Sequence, residues 1–256
     1  MNVSLYQAAA ALDANSRWQE VIAGNMASSS IPGFKKQELS MAAVRAGLMP
    51  SSGLNSSNLP QFFTIPKATA STSFLSGDSQ VTSNKTDVAI DGSGFFTVRL
   101  PNGSTVLTRD GQFQITAKGQ LVTKDGYTVL GQSGPGAAPG PIFLDLGNSA
   151  PMVISATGEV SQGSQTQGKL KITEFVKPTL LTQISGAYFM ANDPNLQTRP
   201  STSTLRQGFL EGSNTSPVTE MANMMTAMRS FEANQHIIQI QDERLGKTIS
   251  DLGNPT

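Results

Sequence analysis

The chain has 256 residues, with 18 basic and 18 acidic side chains, one histidine and no cysteine. A net charge of zero provides no general attraction to nucleic acid or to an anionic membrane surface, and the lack of cysteine excludes disulfides and thiolate chemistry. Charged residues make up only 14% of the chain, against roughly 25% in typical globular domains. Such a surface permits dense packing of identical subunits without self-repulsion.

The N-terminus lacks a basic segment followed by an apolar one, which is the pattern of an ordinary secretory signal. No apolar run approaches the roughly 20 residues that a membrane-spanning helix requires. The sequence therefore predicts neither a membrane span nor a cleaved signal peptide. Either the protein stays inside the cell, or it leaves by a route that needs no such peptide.

Residues 1–27 are predicted to form one helix, because residues 8–11 are strong helix formers and neither glycine nor proline occurs before Gly24. Pro32 and Gly33 prevent its continuation. Its apolar positions recur at a spacing of 3 and 4, which indicates one continuous face. The positions in this series are Met1, Leu5, Ala8, Leu12, Asn15, Gln19, Ile22 and Met26.

The central part of the chain changes to an alternating pattern, from about residue 64 to residue 207. Turn signals every 8 to 12 residues, such as Asn102-Gly103 and Asp125-Gly126, predict an antiparallel all-β body. Before it, residues 41–47 are expected to form a short helical turn and residues 48–62 a flexible loop. Residues 131–141 are rich in glycine and proline and are interpreted as a connector.

A second helix is predicted to start near Val218, with Ser216 or Thr219 as its cap, after a hinge at 213–217. Ten positions alternate at a spacing of 3 and 4, and eight of them are apolar, which is typical of a heptad seam. The positions are Met221, Met224, Met228, Phe231, Gln235, Ile238, Asp242, Leu245, Ile249 and Leu252.

The predicted fold class is mixed α and β: N- and C-terminal helices form a coiled-coil-like domain, and the central body is all β. We expect a terminal helical polymerisation domain made of residues 1–35 and 214–256. A connecting extended or β segment comprises 36–83 with 206–213, and the central β domain spans 84–205.

The two predicted helices have complementary apolar faces. An isolated helix of this length is marginal until its apolar stripe is covered. If the helices run antiparallel, Leu12 falls near Ile238, and Asn15 near Gln235 as a polar layer that fixes the register. Ordinary intramolecular packing is the alternative explanation of the same pattern. The predicted subunit-interface residues are Leu5, Leu12, Ile22, Met26, Met221, Met224, Met228, Phe231, Ile238, Leu245, Ile249 and Leu252.

The sequence contains no recognisable catalytic constellation, so no enzyme activity, metal or cofactor is predicted. His236 is the only histidine, and no cysteine accompanies it to build a zinc site. The Gly92-Ser93-Gly94 segment precedes a strand rather than a helix, which argues against nucleotide binding. Association is therefore the first hypothesis.

Three stretches resemble the flagellar rod and hook protein family. They are Asn25-Met26-Ala27 with residues 33–35, then residues 87–98 followed by Thr108-Arg109-Asp110-Gly111, and finally residues 208–214 with 229–234. Gly24, Ser28 and Thr215 depart from the family pattern. The resemblance assigns structural roles to Asn25, Ala27, Gly33, Phe34, Asp87, Gly92, Gly94, Phe95, Phe96, Arg109, Gly111, Glu211, Asn214, Arg229 and Glu232.

The resemblance implies a structural subunit of the flagellar basal-body rod. Such subunits polymerise into a helical tube that is drive shaft and export channel and transmits torque across the periplasm. Terminal helices form its inner layer and β domains lie outside. The implied partners are the protein itself, other rod and hook proteins, the flagellar export apparatus and surrounding ring proteins. Export through the flagellar channel, with no cleaved signal peptide, is also implied.

Two questions stay open at this stage. Residues 31–34 and the lack of an obvious long insertion favour a proximal over a distal rod position without deciding between them. A β-rich secreted binding module, or a component of a tail-like polymer, is the alternative function.

Overall fold

The computed structural model describes residues 3–48, 62–132 and 138–253. These residues form two compact units. The first, here called the helical unit, consists of the described parts of Met1–Ala27, Gln37–Ser71 and Pro217–Thr256. The second, here called the β unit, consists of the described parts of Ser28–Lys36 and Thr72–Ser216. Each unit is therefore assembled from segments that are distant in the sequence.

The helical unit contains two helices, α1 (Val3–Ala27) and α2 (Pro217–Gly253), which pack against each other. Both helices were predicted, and proline at the first position of α2 is favourable because its missing N–H has no helical partner there. Whether the pair is a coiled coil of heptad type stays a prediction. No helix among the described residues is both long and apolar enough to cross a membrane.

The helical unit also contains the two-stranded sheet of β1 (Gln37–Leu48) with β2 (Phe62–Thr72). The prediction of a helical turn at 41–47 was wrong, because these residues lie within β1. Alanine-rich sequence favours a helix locally, but pairing with β2 satisfies the same backbone groups. Residues 49–61 of the predicted loop lie outside the described residues.

The β unit contains the remaining strands, and every recorded pairing in it is antiparallel, as predicted. In chain order they are β3 (Ser79–Val81), β4 (Val88–Asp91), β5 (Phe95–Arg99), β6 (Thr105–Thr108), β7 (Phe113–Ile115), β8 (Leu121–Thr123), β9 (Thr128–Gln132), β10 (Gly140–Pro141), β11 (Met152–Ile154), β12 (Glu159–Gln162), β13 (Gln165–Leu170), β14 (Ile172–Phe175), β15 (Thr182–Ser185), β16 (Tyr188–Met190), β17 (Thr198–Arg199), β18 (Thr204–Gln207) and β19 (Phe209–Glu211).

Most of these strands belong to one sheet whose central order is β11-β12-β13-β9-β5-β6-β16-β15. The interpretation of 131–141 as a connector was wrong at both of its ends. Gly131 lies in β9 and pairs with Gly140 of β10, so the ends of this segment form a short ladder. Residues 133–137 lie outside the described residues.

The core of the β unit consists of two groups of buried side chains. The larger group includes Phe96, Val98, Val129 and Leu170. The smaller contains Phe95 and Phe189, whose ring centroids lie 5.8 Å apart in an edge-on arrangement. Such aromatic pairs contribute roughly 0.5–1.5 kcal/mol beyond the area that they bury.

Two strand pairs close the β unit by joining its beginning to its end. β4 pairs with β18, with Asp91 opposite Thr204, and β3 pairs with β19, with Val81 opposite Phe209. The backbone of Gly33, which follows α1 in the chain, donates to the carbonyl of Glu211 at 2.7 Å. The segments that lead out of α1 and into α2 are thus both held by the β unit.

Candidate functional site

The helix pair of the helical unit is antiparallel. Asn25, near the end of α1, donates from Nδ2 to the carbonyl of Gln37 at 2.8 Å and accepts the Gln37 N–H at 2.9 Å. The neighbouring Lys36 donates its N–H to Asn214, shortly before α2 begins. The end of α1 therefore lies close to the start of α2.

A buried polar pair lies between the two helices. Asn15 is only 4% exposed, and its Nδ2 donates to the hydroxyl of Ser230 at 3.2 Å. The predicted partner was Gln235, which is exposed. Asn15 therefore supplies a polar contact in the helix pair, as expected, but with a residue on an adjacent row of α2 that the heptad count did not include.

The predicted seam of α2 divides into two rows. Met224, Phe231 and Ile238 are half-buried and lie on the side of α2 that includes Ser230 and the fully buried Ala227. Since Ser230 contacts Asn15, this row faces α1. On α1, Ile22 is buried, and Leu12 and Met26 are half-buried. The side chains of Leu5 and Leu252 lie outside the described residues.

The other row of α2 is exposed. Met221, Met225 and Met228, here called the methionine stripe, are each at least half exposed, and Val218 and Ile249 are more exposed still. Leu245 is exposed as well, and every side chain from Asp242 to Ser250 is classed as exposed. Large apolar groups repeated along one helix face are unusual for a surface that faces only water. The seam therefore offers more apolar surface than α1 covers.

A cluster of buried ions lies in the β unit, where the predicted motif residues meet. The Lys35 ammonium is fully buried and donates to Oε1 of Glu211 at 2.5 Å, and Arg109, 2% exposed, donates from Nη1 to Oε2 at 3.1 Å. The backbone N–H of Gly77 also donates to Oε1 at 3.1 Å. One carboxylate thus joins three separate stretches of chain.

The cluster holds two cations and one anion out of water. Burial lowers the pKa of Lys35 and of Arg109 below their ordinary values, and the charge of Glu211 opposes this effect in both cases. Arg109 also donates from Nη2 to the carbonyl of Gly92 at 2.7 Å and lies over the ring of Phe95, 5.0 Å from its centroid. The carboxylate of Glu211 is therefore what makes both buried cations tolerable.

Within the part of the chain that the structure describes, the carboxylate partner of Arg109 is the distant Glu211 rather than the nearby Asp87 or Asp110. Asp87 is buried and contributes backbone contacts, since its carbonyl accepts the Gly208 N–H at 2.8 Å. Lys35 lies within the motif at residues 33–35, but the sequence alone indicates no role for it. Nothing local in the sequence could have linked these three residues.

Two glycines of the predicted set allow the chain to pass close to itself. Gly33 has a φ of +67°, and a Cβ there would lie against the backbone of Arg109 and Asp110. A Cβ at Gly111 would overlap the carbonyl oxygen of Val88. Both residues were expected to be structural, and at each position the lack of space for a side chain explains why glycine is present.

The two motif asparagines replace missing backbone partners. Asn25 does so in the helical unit, through its pair of bonds with Gln37. In the β unit, Asn214 accepts the Lys36 N–H at 2.7 Å and donates to the carbonyls of Ser73 and Leu75 at 2.9 and 3.0 Å. Each amide thus fixes a segment adjoining a terminal helix.

The remaining motif residues are divided between core and surface. Phe34, Phe95 and Phe96 are buried in the β unit, and Gly92 and Gly94 lie in the turn from β4 to β5. Ala27, Arg229 and Glu232 are exposed on the helices.

Sequence reasoning also missed a second buried carboxylate. Glu174 is bonded by Ser93, Arg199 and the N–H of Thr202. Burial alone would raise the pKa of Glu174, but these bonds together lower it.

Comparison with known proteins identifies the class. The family described as "Flagellar hook protein FlgE/F/G D1 domain" matches residues 89–162, and "Flagellar basal body rod FlgEFG protein C-terminal" matches residues 206–251. The first match lies within the β unit, and the second runs from the closing strands through most of α2.

Similar proteins extend the likeness to nearly the whole chain. The flagellar basal-body rod protein FlgG of Buchnera aphidicola subsp. Schizaphis graminum is 30% identical, over 95% of this chain and 97% of its own length. FlgF of Escherichia coli is 29% identical over 96% of this chain and 97% of its own length. The chain belongs to the flagellar basal-body rod protein family.

Proposed function

We propose that this protein is a structural subunit of the bacterial flagellar basal-body rod, polymerising into a helical tube that transmits torque. The observation that carries the proposal is the methionine stripe of α2, which stays exposed in a chain of this family. A polymer of many copies would cover it. Transmission of torque requires repeated contacts and stiff subunits, and no chemical step.

The proposed interface uses the helical unit, and its side chains are those that the heptad pattern selected. Met221, Met228, Leu245 and Ile249 are exposed and available to a neighbour. Thioether side chains are flexible, so they suit contacts that differ between neighbouring subunits. Residues 1–35 with 214–256 act as the polymerisation domain in this proposal, with the seam as its contact surface.

The β unit supplies stiffness. Its closing strand pairs and the cluster of Lys35, Arg109 and Glu211 attach the segments next to both helices to a large antiparallel sheet. The segments that adjoin the two helices are thus bonded directly to this sheet. Buried ion pairs of this kind break only at high cost, since separation leaves a charge out of water.

The proposed partners are copies of the protein itself, other rod and hook proteins, the export apparatus and the surrounding ring proteins. The proposed location is the basal body, in the rod that spans the periplasm, reached through the flagellar export channel without a cleaved signal peptide. A secreted binding module of similar fold is the competing hypothesis. It differs in having no reason to keep the methionine stripe exposed.

Sedimentation of the purified chain over a range of concentrations tests the proposal. We expect a polymer above a critical concentration, and a rise of at least tenfold in that concentration for the variant Met221→Gln, Met225→Gln, Met228→Gln. The control variant carries Ala222→Gln and Ala233→Gln, at exposed α2 positions outside the stripe. A wild-type chain that stays monomeric at all concentrations, even with added seeds, contradicts the proposal.

A further inference from the structure

A cavity of about 340 Å³ opens on the β unit. Four segments of the chain line it, and they comprise residues 30–32, residues 110 and 112, residues 124–125 and residues 185–188. Ile31, Pro32 and Ala187 supply apolar wall, while Asp110 and Asp125 supply carboxylates. A concave site with apolar walls and a few convergent polar groups is the usual form of a binding site.

Several polar groups of this cavity have acceptor oxygens without a hydrogen-bond donor from the described part of the protein, although the exposed Lys124 also lines it. Asp110 is only 9% exposed, and its Oδ1 accepts the N–H of Gln112 at 2.9 Å. Oδ2 of Asp125 accepts the hydroxyl of Tyr188 at 2.7 Å. Within the described residues, these bonds leave one oxygen of each carboxylate without a hydrogen bond, and the buried Oε1 of Gln112 has no partner either. A ligand suited to this wall must therefore donate hydrogen bonds.

The surroundings of Asp110 disfavour its ionised form. Burial is the largest cause, and with the charges of Asp125 and Asp87 it raises the pKa of Asp110 to about 6, although the N–H of Gln112 and the charge of Lys124 act in the opposite direction. At neutral pH the carboxylate is thus ionised in a place that stabilises it poorly. A bound cation would remove that penalty.

We propose that this cavity binds a lysine or arginine side chain of a second copy of the chain. The apolar wall fits the methylene stem of such a residue, and the carboxylates fit its charged end. The described residues include no group of three or more acidic, histidine or cysteine side chains placed to hold a metal ion. The inference rests on the proposed function, because polymerisation is what brings a second copy within reach.

The first test uses the monomer and the blocked amino acid acetyl-arginine amide. Backbone amide signals of residues 110, 112, 125 and 188 should shift with saturation at pH 7.5, and binding should weaken several-fold at pH 5, where Asp110 is largely protonated. The variant Asp110→Asn, Asp125→Asn should lose the saturable shifts. Shifts that do not saturate, or that persist unchanged in this variant, overturn the proposal.

The second test uses the polymer. The same double variant should raise the critical concentration for polymerisation at least fivefold, while Asp91→Asn with Asp145→Asn, at two exposed aspartates, should leave it unchanged. A polymer that forms as readily from the cavity variant overturns the assignment of a second copy as occupant. If the wild-type chain fails to polymerise, the proposed function fails, and the monomer titration alone then supports or overturns the cation site.

Discussion

Glu211 and Arg109 lie 102 positions apart in the sequence, yet Nη1 of the arginine donates to Oε2 of the glutamate at 3.1 Å, and both side chains are buried. Lys35 bonds the other oxygen of the same carboxylate. The bond therefore connects the chain just before α2 with the middle of the β unit and with the segment after α1. Residues from three family motifs that are far apart in the sequence thus meet at one buried carboxylate.

Replacing Glu211 by glutamine should destabilise the β unit by about 3–5 kcal/mol, because Lys35 and Arg109 would stay buried without a counter-charge. Urea denaturation monitored by far-UV circular dichroism would measure the loss of stability. Glu159→Gln, at an exposed position, is the matched control and should change stability by less than about 0.5 kcal/mol. Equal denaturation midpoints for the two variants would show that Glu211 is dispensable.

Asp110→Asn should stabilise the monomer near neutral pH. The pKa of Asp110 is raised from 3.8 to about 6, so the folded state holds its proton more tightly than the unfolded state. Stability therefore falls as pH rises from about 4 to about 6, and the full penalty, of order 1–3 kcal/mol, is present above pH 6. Asparagine can still accept the Gln112 N–H without carrying a charge.

The pH profile distinguishes this explanation from a general effect of the substitution. The difference in unfolding free energy between Asp110→Asn and wild type should be large at pH 7.5 and close to zero at pH 4. Asp145→Asn, at an exposed site, should track the wild-type profile. A difference that is the same at both pH values would refute the link to ionisation of Asp110.

Gly111→Ala should destabilise the β unit by at least about 2 kcal/mol, because the added methyl group overlaps the carbonyl of Val88 and the backbone must shift. Gly140→Ala is a suitable comparison, since a Cβ at that position meets no atom within 4 Å. Thermal unfolding of both variants would test the difference. Comparable melting temperatures would mean that the β4 region adapts more easily than its packing indicates.

Truncation tests the closure of the β unit. A chain that ends at Ser216 lacks α2 but keeps β18, β19 and Glu211, and it should retain the dispersed amide spectrum of a folded sheet. A chain that ends at Ser203 loses the partners of β3 and β4, and it should lose much of this dispersion. If both truncated chains give the same well-dispersed spectrum, the closing pairs are not required for folding.

The helices and most strands could be predicted from the sequence because their signals are local. Periodicity located α1 and α2, and turn residues such as Asn102 and Gly103 marked the hairpins. The prediction at 41–47 was wrong because a local signal conflicted with a contact to a distant strand. Alanine-rich sequence carries a helix signal of its own, while the partner strand that overrides it begins about twenty residues later.

The seam of α2 shows how far the periodicity argument reaches. It identified the correct helix, but it could not tell which row of side chains faces α1. That choice depends on where Ser230 meets Asn15, which is a tertiary contact. The ion cluster and the cavity at Asp110 could not be predicted from the sequence, because each consists of residues from segments that only the folded sheet brings together.

The closing strand pairs also affect the rate at which the β unit forms. β4 must find β18, and β3 must find β19, across almost half of the chain. Contacts of such long sequence separation cost loop-closure entropy before they return any stabilisation, so they belong to slowly folding topologies. The two closing strand pairs of the β unit can therefore form only after the chain has been synthesised as far as Glu211. Until then, β3 and β4 of the nascent chain lack these partner strands.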